Sequence, residues 1–193
     1  MKIVILGSTY LSAIAENSLQ GAGHLLCHVP SGKPLFKGKM LSPVVSLDRL
    51  PAHDIKLSVQ FDQKLGDIDN AYNIHTGLLP LYGGCDILYH TIENKEEEQG
   101  LTCHKMGKDF DNGQVVSKIA YPVLETDTAL DLYKKVCTVL PFFSVLSVEM
   151  IRKGIIGTLT GSPKMYFRGR VNDQKKYEQD REDIMRYIYA HLR

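Results

Sequence analysis

Apolar residues fill positions 3–6 behind Lys2 and stop at Gly7-Ser8-Thr9. A short apolar run closed by small and hydroxyl residues predicts a strand that turns into a helix. Leu11, Ile14, Ala15 and Leu19 follow at near-helical spacing, and Gly21 and Gly23 end that helix. Residues 25–29 give a second strand, broken by Pro30, and residues 31–43 a loop rich in Pro, Gly and Lys. Residues 44–47 predict a short strand and residues 55–61 a stronger one. Strands alternating with helical patterns predict an α/β fold with a parallel sheet. Such sheets bind ligands at the carboxyl ends of their strands. G-x-G-x-x-G is absent, so Gly7-Ser8-Thr9 is no dinucleotide fingerprint.

Residues 71–75 (AYNIH) read as a short strand running into Thr76-Gly77-Leu78-Leu79-Pro80. Residues 86–92 suit a helix and residues 100–106 a strand. Asn112-Gly113 is a tight turn into a strand over 114–119. Thr126-Asp127 caps a helix through Leu130, Tyr133, Val136 and Leu140, which Pro141 should stop. A second helix is expected over 142–152, ending at Gly154. The tail is polar from Lys164 and closes in an amphipathic helix with Ile184, Met185, Ile188 and Leu192 on one face. That face can dock on its own domain or on a second subunit, and a homodimer is the favoured expectation. The division expected is a main domain over 1–160 and a tail over 161–193.

With 44% apolar and 23% charged residues in 193, the composition is that of an ordinary globular domain. A formal net charge of +1 gives no global attraction to nucleic acid or an anionic membrane. No window approaches the ~20 apolar residues of a membrane span, and the first apolar run is too short for a signal segment. A cytoplasmic location is the expectation. Cys27, Cys85, Cys103 and Cys137 form no C-x-x-C pair, which predicts free, mostly buried thiols and no metal site.

Asn73 and His75 stand two apart on a strand, so an amide and an imidazole share one face where the strand gives way to a Gly-containing loop. Alone, N-x-H is common by chance, and a strand-end Asn with a surface His would explain it. The wider segments add to it. Residues 73–84 read Asn-Ile-His-Thr-Gly-Leu-Leu-Pro-Leu-Tyr-Gly-Gly, and residues 106–116 read Met-Gly-Lys-Asp-Phe-Asp-Asn-Gly-Gln-Val-Val. The first resembles the N-x-H-x-x-L-L-P-x-Y-x-G signature of folate-dependent formyltransferases. The second resembles that family's later Asp-containing loop. The resemblance is good from about residue 54 to 155 and weaker at Tyr166-Phe167-Arg168.

This resemblance implies a Rossmann-like formyltransferase fold, a mostly parallel sheet flanked by helices with a short helical tail. The front, residues 1–72, is about one α/β crossover shorter than usual in the family. It implies N10-formyltetrahydrofolate as donor, with no metal, and Asn73, His75 and Asp111 as the catalytic set. The chemistry suits these residues. Amine attack on a formyl carbon makes an oxyanion, for which the Asn73 amide and a protonated His75 are donors. Asp111 raises the imidazole pKa and holds a water for the proton relay. The folate is expected along Phe61, Gln63 and Leu65 and along Asp109 and Phe110, with core packing the other reading of Phe61 and Leu65. The acceptor, a small amine, is expected near Tyr10, Tyr82, Gly83 and Gly84, where Tyr82 either stacks on the ligand or packs its loop. The family's sugar-nucleotide N-formyltransferases are the most similar in motif, so a nucleotide-linked amino sugar is the acceptor expected. Glycinamide ribonucleotide, hydrolysis of the donor and non-catalytic folate binding are the alternatives. Thr76, Gly77 and Leu81 depart from the family's pattern, which bears on acceptor contacts. A Cys–His pair through Cys85 or Cys103 is the rival chemistry.

Overall fold

The computed structural model describes residues 1–32, 36–65, 68–158 and 161–192. Strand β1 (Lys2–Leu6) is flanked in parallel by β2 (His24–Val29) and β3 (Ile55–Val59). Strand β4 (Ala71–His75) continues the parallel series beside β3. Then β6 (Glu98–Lys105) pairs antiparallel with β4, and β7 (Val115–Pro122) antiparallel with β6. The order β2-β1-β3-β4-β6-β7 is a mixed sheet in which the parallel strands form one continuous half. A separate pair joins β5 (Gly83–Gly84) to β8 (Met165–Tyr166).

Helix α1 (Tyr10–Leu19) starts where expected because Thr9 and Ser12 exchange side-chain bonds to each other's backbone N–H. A short helix α2 (Ile87–Glu93) follows β5. The region expected as two helices is one, α3 (Ala129–Arg152), capped by Thr128 and running through Pro141. An interior proline costs a helix about 3 kcal/mol. Leu140, Phe143 and Val148 are fully buried around it, and each such side chain contributes roughly 1.5–3 kcal/mol, so packing wins. Residues 44–47 make no strand: Val44 forms a single bridge to His28, and Leu47–Arg49 is a 3-10 turn.

The apolar residues of α1 and α3, Leu88 of α2, and Ile184 and Ile188 of the final helix α4 (Gln174–His191) share one core. Into it point Ile3, Ile5, Leu57, Tyr72, Ile74, Leu101 and Cys103 from the sheet. The apolar face of α4 is thus taken up by its own domain, which removes the ground for expecting a dimer there. The other sheet face carries a smaller core of Val4, Leu6, Cys27, Val29, Leu65 and Ala71, with Val45, Leu47, Leu50 and Phe61 packed on it. None of these comes from an α-helix. The parallel step from β3 to β4 is made by residues 60–70, with no helix among the described ones. The helices therefore gather on one face, and loops cover the other, the face that carries Asn73 and His75.

Candidate active site

Strand pairing lines up three polar residues across the sheet. Ser58 of β3 is the neighbour of Asn73, and Asn73 is opposite His104 of β6. All three lie on the loop-covered face, because strand side chains alternate. Ser58 Oγ donates to Asn73 Oδ1 at 2.9 Å, so the Asn73 Nδ2 group turns toward His104 Nε2 at 3.3 Å and Asp111 Oδ1 at 3.5 Å. Asp111 reaches in from the loop after β6, in a left-handed backbone conformation (φ 52°), which Asp tolerates better than most residues.

Asp111 Oδ1 stands 3.6 Å from His75 Nδ1 and 3.6 Å from His104 Nε2, and its other oxygen accepts the Gly84 N–H at 2.7 Å. His75 Nε2 is 2.6 Å from the Tyr82 carbonyl. A carbonyl only accepts, so Nε2 carries the hydrogen and the neutral ring leaves its Nδ1 lone pair toward Asp111. His75 is buried, and loss of hydration pushes its pKa below the usual value, against the pull of the Asp111 charge. The resting ring is therefore neutral at pH 7. Burial thus works against the protonated His75 that the sequence led one to expect, while Asp111 works for it. Burial alone would raise the Asp111 carboxyl; the His104 and His75 rings and the Gly84 N–H outweigh it and hold it below the usual range.

His104 was missed in the sequence, where 100–106 reads only as a strand. The alternation of Thr102 and His104 with buried Leu101 and Cys103 was the available signal. His104 Nδ1 is 3.1 Å from the Lys105 carbonyl, and its Nε2 faces both Asn73 Nδ2 at 3.3 Å and Asp111 Oδ1 at 3.6 Å.

The other expected site residues divide. Phe110 is 78% exposed beside Asp111, and Asp109 is exposed next to it. Gln63 is exposed and donates to the Pro30 carbonyl at 2.9 Å. Leu65 is buried in the smaller core and Phe61 packs on that core, so core packing accounts for both. Tyr10 packs into the helical core on the opposite face, a correction to its placement at an acceptor site. Tyr82 is buried, with its ring stacked on Tyr166 at 4.9 Å and its hydroxyl bonded to Glu96. It packs its loop and offers no free face for a ligand. Gly83 and Gly84 come close to the tail backbone rather than to open space. Cys103 is buried on the helical face with its thiol pushed up to about 12 by burial, and Cys85 is also raised by burial. Neither favours a thiolate, which disposes of the Cys–His rival. Cys85 is exposed and Cys137 half-buried, so only Cys27 and Cys103 meet the expectation of buried thiols. Among the described residues no group of His, Cys, Asp or Glu is arranged to hold a metal ion. No described helix is long and apolar enough to cross a membrane.

A mixed sheet with an Asn–His–Asp cluster at the carboxyl end of its parallel half is the Rossmann-like formyltransferase fold. Residues 68–141 match the family described as formyl transferase. The chain is 34% identical over 102 residues to the bifunctional polymyxin resistance protein ArnA of Wigglesworthia glossinidia brevipalpis, covering 52% of this chain and 16% of that protein. It is 37% identical over 75 residues to a methionyl-tRNA formyltransferase of Streptococcus pyogenes, covering 39% of this chain and 24% of that protein. The chain thus spans a quarter or less of the length of these two relatives. The solved structure of WlaRD, a sugar 3N-formyl transferase with dTDP and 5-N-formyl-THF, superposes with a TM-score of 0.73 at 22% identity over 89% of this chain and 71% of that one.

Proposed function

We propose that this chain transfers a formyl group from N10-formyltetrahydrofolate to a primary amine borne by a nucleotide-linked sugar. The observation that carries the reading is the convergence of Asn73, His75 and Asp111, with His75 Nδ1 and Asn73 Nδ2 both facing Asp111 Oδ1. The likeness to WlaRD supports the donor and acceptor classes.

In this reading the acceptor amine attacks the formyl carbon, and Asn73 Nδ2 donates to the oxygen that becomes negative. Its bond to Asp111 is long at 3.5 Å, so that hydrogen is cheaply redirected. The amine proton passes to the His75 Nδ1 lone pair. The imidazolium then has an acceptor at each nitrogen, Asp111 at one and the Tyr82 carbonyl at the other. Burial disfavours that charged form, so His75 readily returns the proton to the folate nitrogen as the C–N bond to the donor breaks. The same ring serves as base and then as acid.

The test is incubation with N10-formyltetrahydrofolate and a panel of acceptors: nucleotide-linked amino sugars, glycinamide ribonucleotide, methionyl-tRNA, and buffer alone. Transfer to the amino sugar alone is expected. Transfer to either other amine replaces the acceptor, hydrolysis in buffer alone makes water the acceptor, and no turnover with any of them removes the activity.

A further inference from the structure

We propose that the tail strand β8 is a positioning element for the His75–Asp111 pair, with Tyr166 as its principal residue. The inference begins with the backbone of residues 82–85. An extended chain presents its polar groups alternately to two sides. On one side the Tyr82 carbonyl accepts from His75 at 2.6 Å and the Gly84 N–H donates to Asp111 at 2.7 Å. On the other side the Gly83 N–H donates to the Lys164 carbonyl and the Cys85 N–H to the Tyr166 carbonyl, each at 3.0 Å. One strip of backbone thus spaces the imidazole and the carboxylate on its inner edge while the tail grips its outer edge.

A two-residue strand pair has little stability of its own, and side chains reinforce this one. The Tyr82 and Tyr166 rings stack with 4° between their planes. The Asn94 amide is 2.8 Å from the Tyr82 hydroxyl and 3.0 Å from that of Tyr166. Asp86 accepts from the Gly169 N–H at 2.9 Å and the Tyr177 hydroxyl at 2.6 Å, which anchors the tail to α2 beyond β8. At Gly84 the φ is 95°, and a Cβ there would lie 2.1 Å from the Tyr166 carbonyl oxygen. The approach of the two backbones is close enough to require glycine. Among the described residues, the partners of Asn73, His75 and Asp111 come from outside the tail, which acts through residues 82–85.

The kinetic part of this proposal rests on the formyl-transfer reading; the structural part does not. The test compares Tyr166→Ala and Tyr166→Phe in the full chain, by His75 ring titration in NMR and amide exchange at Gly84, with no folate present. Tyr166→Ala is expected to speed Gly84 exchange at least ~10-fold, the signature of a locally opened segment. It should also move the His75 titration upward, toward an ordinary histidine, as water reaches the ring. In turnover assays kcat should fall while KM for the folate donor changes less. Tyr166→Phe keeps the ring stack and should restore most of each property. Should Tyr166→Ala fail to fold, exchange in the unaltered chain decides, since the Gly83 and Cys85 amides must then be protected together with Gly84. Free exchange at Gly83 and Cys85, or a folded Tyr166→Ala with unaltered His75 titration and Gly84 protection, overturns the proposal. An absence of formyl transfer in the unaltered chain counts against the function alone and leaves the exchange and titration readouts standing.

Discussion

Ser58 Oγ donates to Asn73 Oδ1 across 2.9 Å, and that bond decides which end of the Asn73 amide faces the site. With the oxygen occupied, the NH2 end is the one presented to His104, Asp111 and an incoming ligand. Ser58→Ala frees the amide to turn over. Turnover is expected to fall by up to about tenfold, the worth of one net hydrogen bond. An unchanged kcat at saturating donor means that another contact orients Asn73.

In the proposed mechanism Asn73→Ala removes the oxyanion donor and His75→Ala the proton carrier. Each should lower turnover at least ~10²-fold, the scale for one preorganised donor. Folate affinity should survive, and equilibrium binding measured beside turnover separates the two effects. A variant with near-normal turnover would return its residue to the role of strand-end packing.

Asp111→Asn keeps the shape and suits the left-handed backbone at that position. It deletes the charge that favours protonated His75. The His75 pKa, already low, should drop further. A base must be unprotonated to act, so the acidic limb of the pH–rate profile should move to lower pH while the maximum falls. A limb that stays in place makes Asp111 a turn residue only.

Stability should carry the same signature. His75 has a lower pKa folded than unfolded, so its contribution is complete above about 6.5 and is lost as pH falls from there toward the folded value. Asp111 is also depressed, and its contribution is lost only below the ordinary carboxylate range. Thermal unfolding at pH 5 and pH 7.5 should show a lower Tm at pH 5, and His75→Gln should narrow the gap. An equal gap in both proteins assigns the acid sensitivity to another group.

Most strands of the main sheet were legible in local pattern, and ordered motifs singled out Asn73, His75 and Asp111, which the fold brings together. His104 was not, because its role comes from lying opposite Asn73 in an antiparallel ladder, and that register is not a local property. Pro141 misled for a related reason. Proline opposes helix locally, and the burial of Leu140 and Phe143 that outweighs it belongs to the tertiary fold. Tyr82 was read from its neighbours in sequence, whereas its ring partner, Tyr166, lies 84 positions along the chain. The burial around His75, which opposes its protonation, was not legible either, because a motif names a carboxylate partner but not the depth at which the ring lies.

The two faces of the sheet differ in how hard they are to part. Behind β4, the helices α1, α3 and α4 form a continuous wall, and separating it from the sheet would expose the main core. In front, residues such as Val45, Leu47, Leu50 and Phe61 only drape over a small apolar patch. Displacing such a drape breaks a few loop contacts and leaves the wall intact, so this side has the lower local unfolding cost. The front can therefore loosen sub-globally while the sheet, Asn73 and His75 included, stays backed by its helical half.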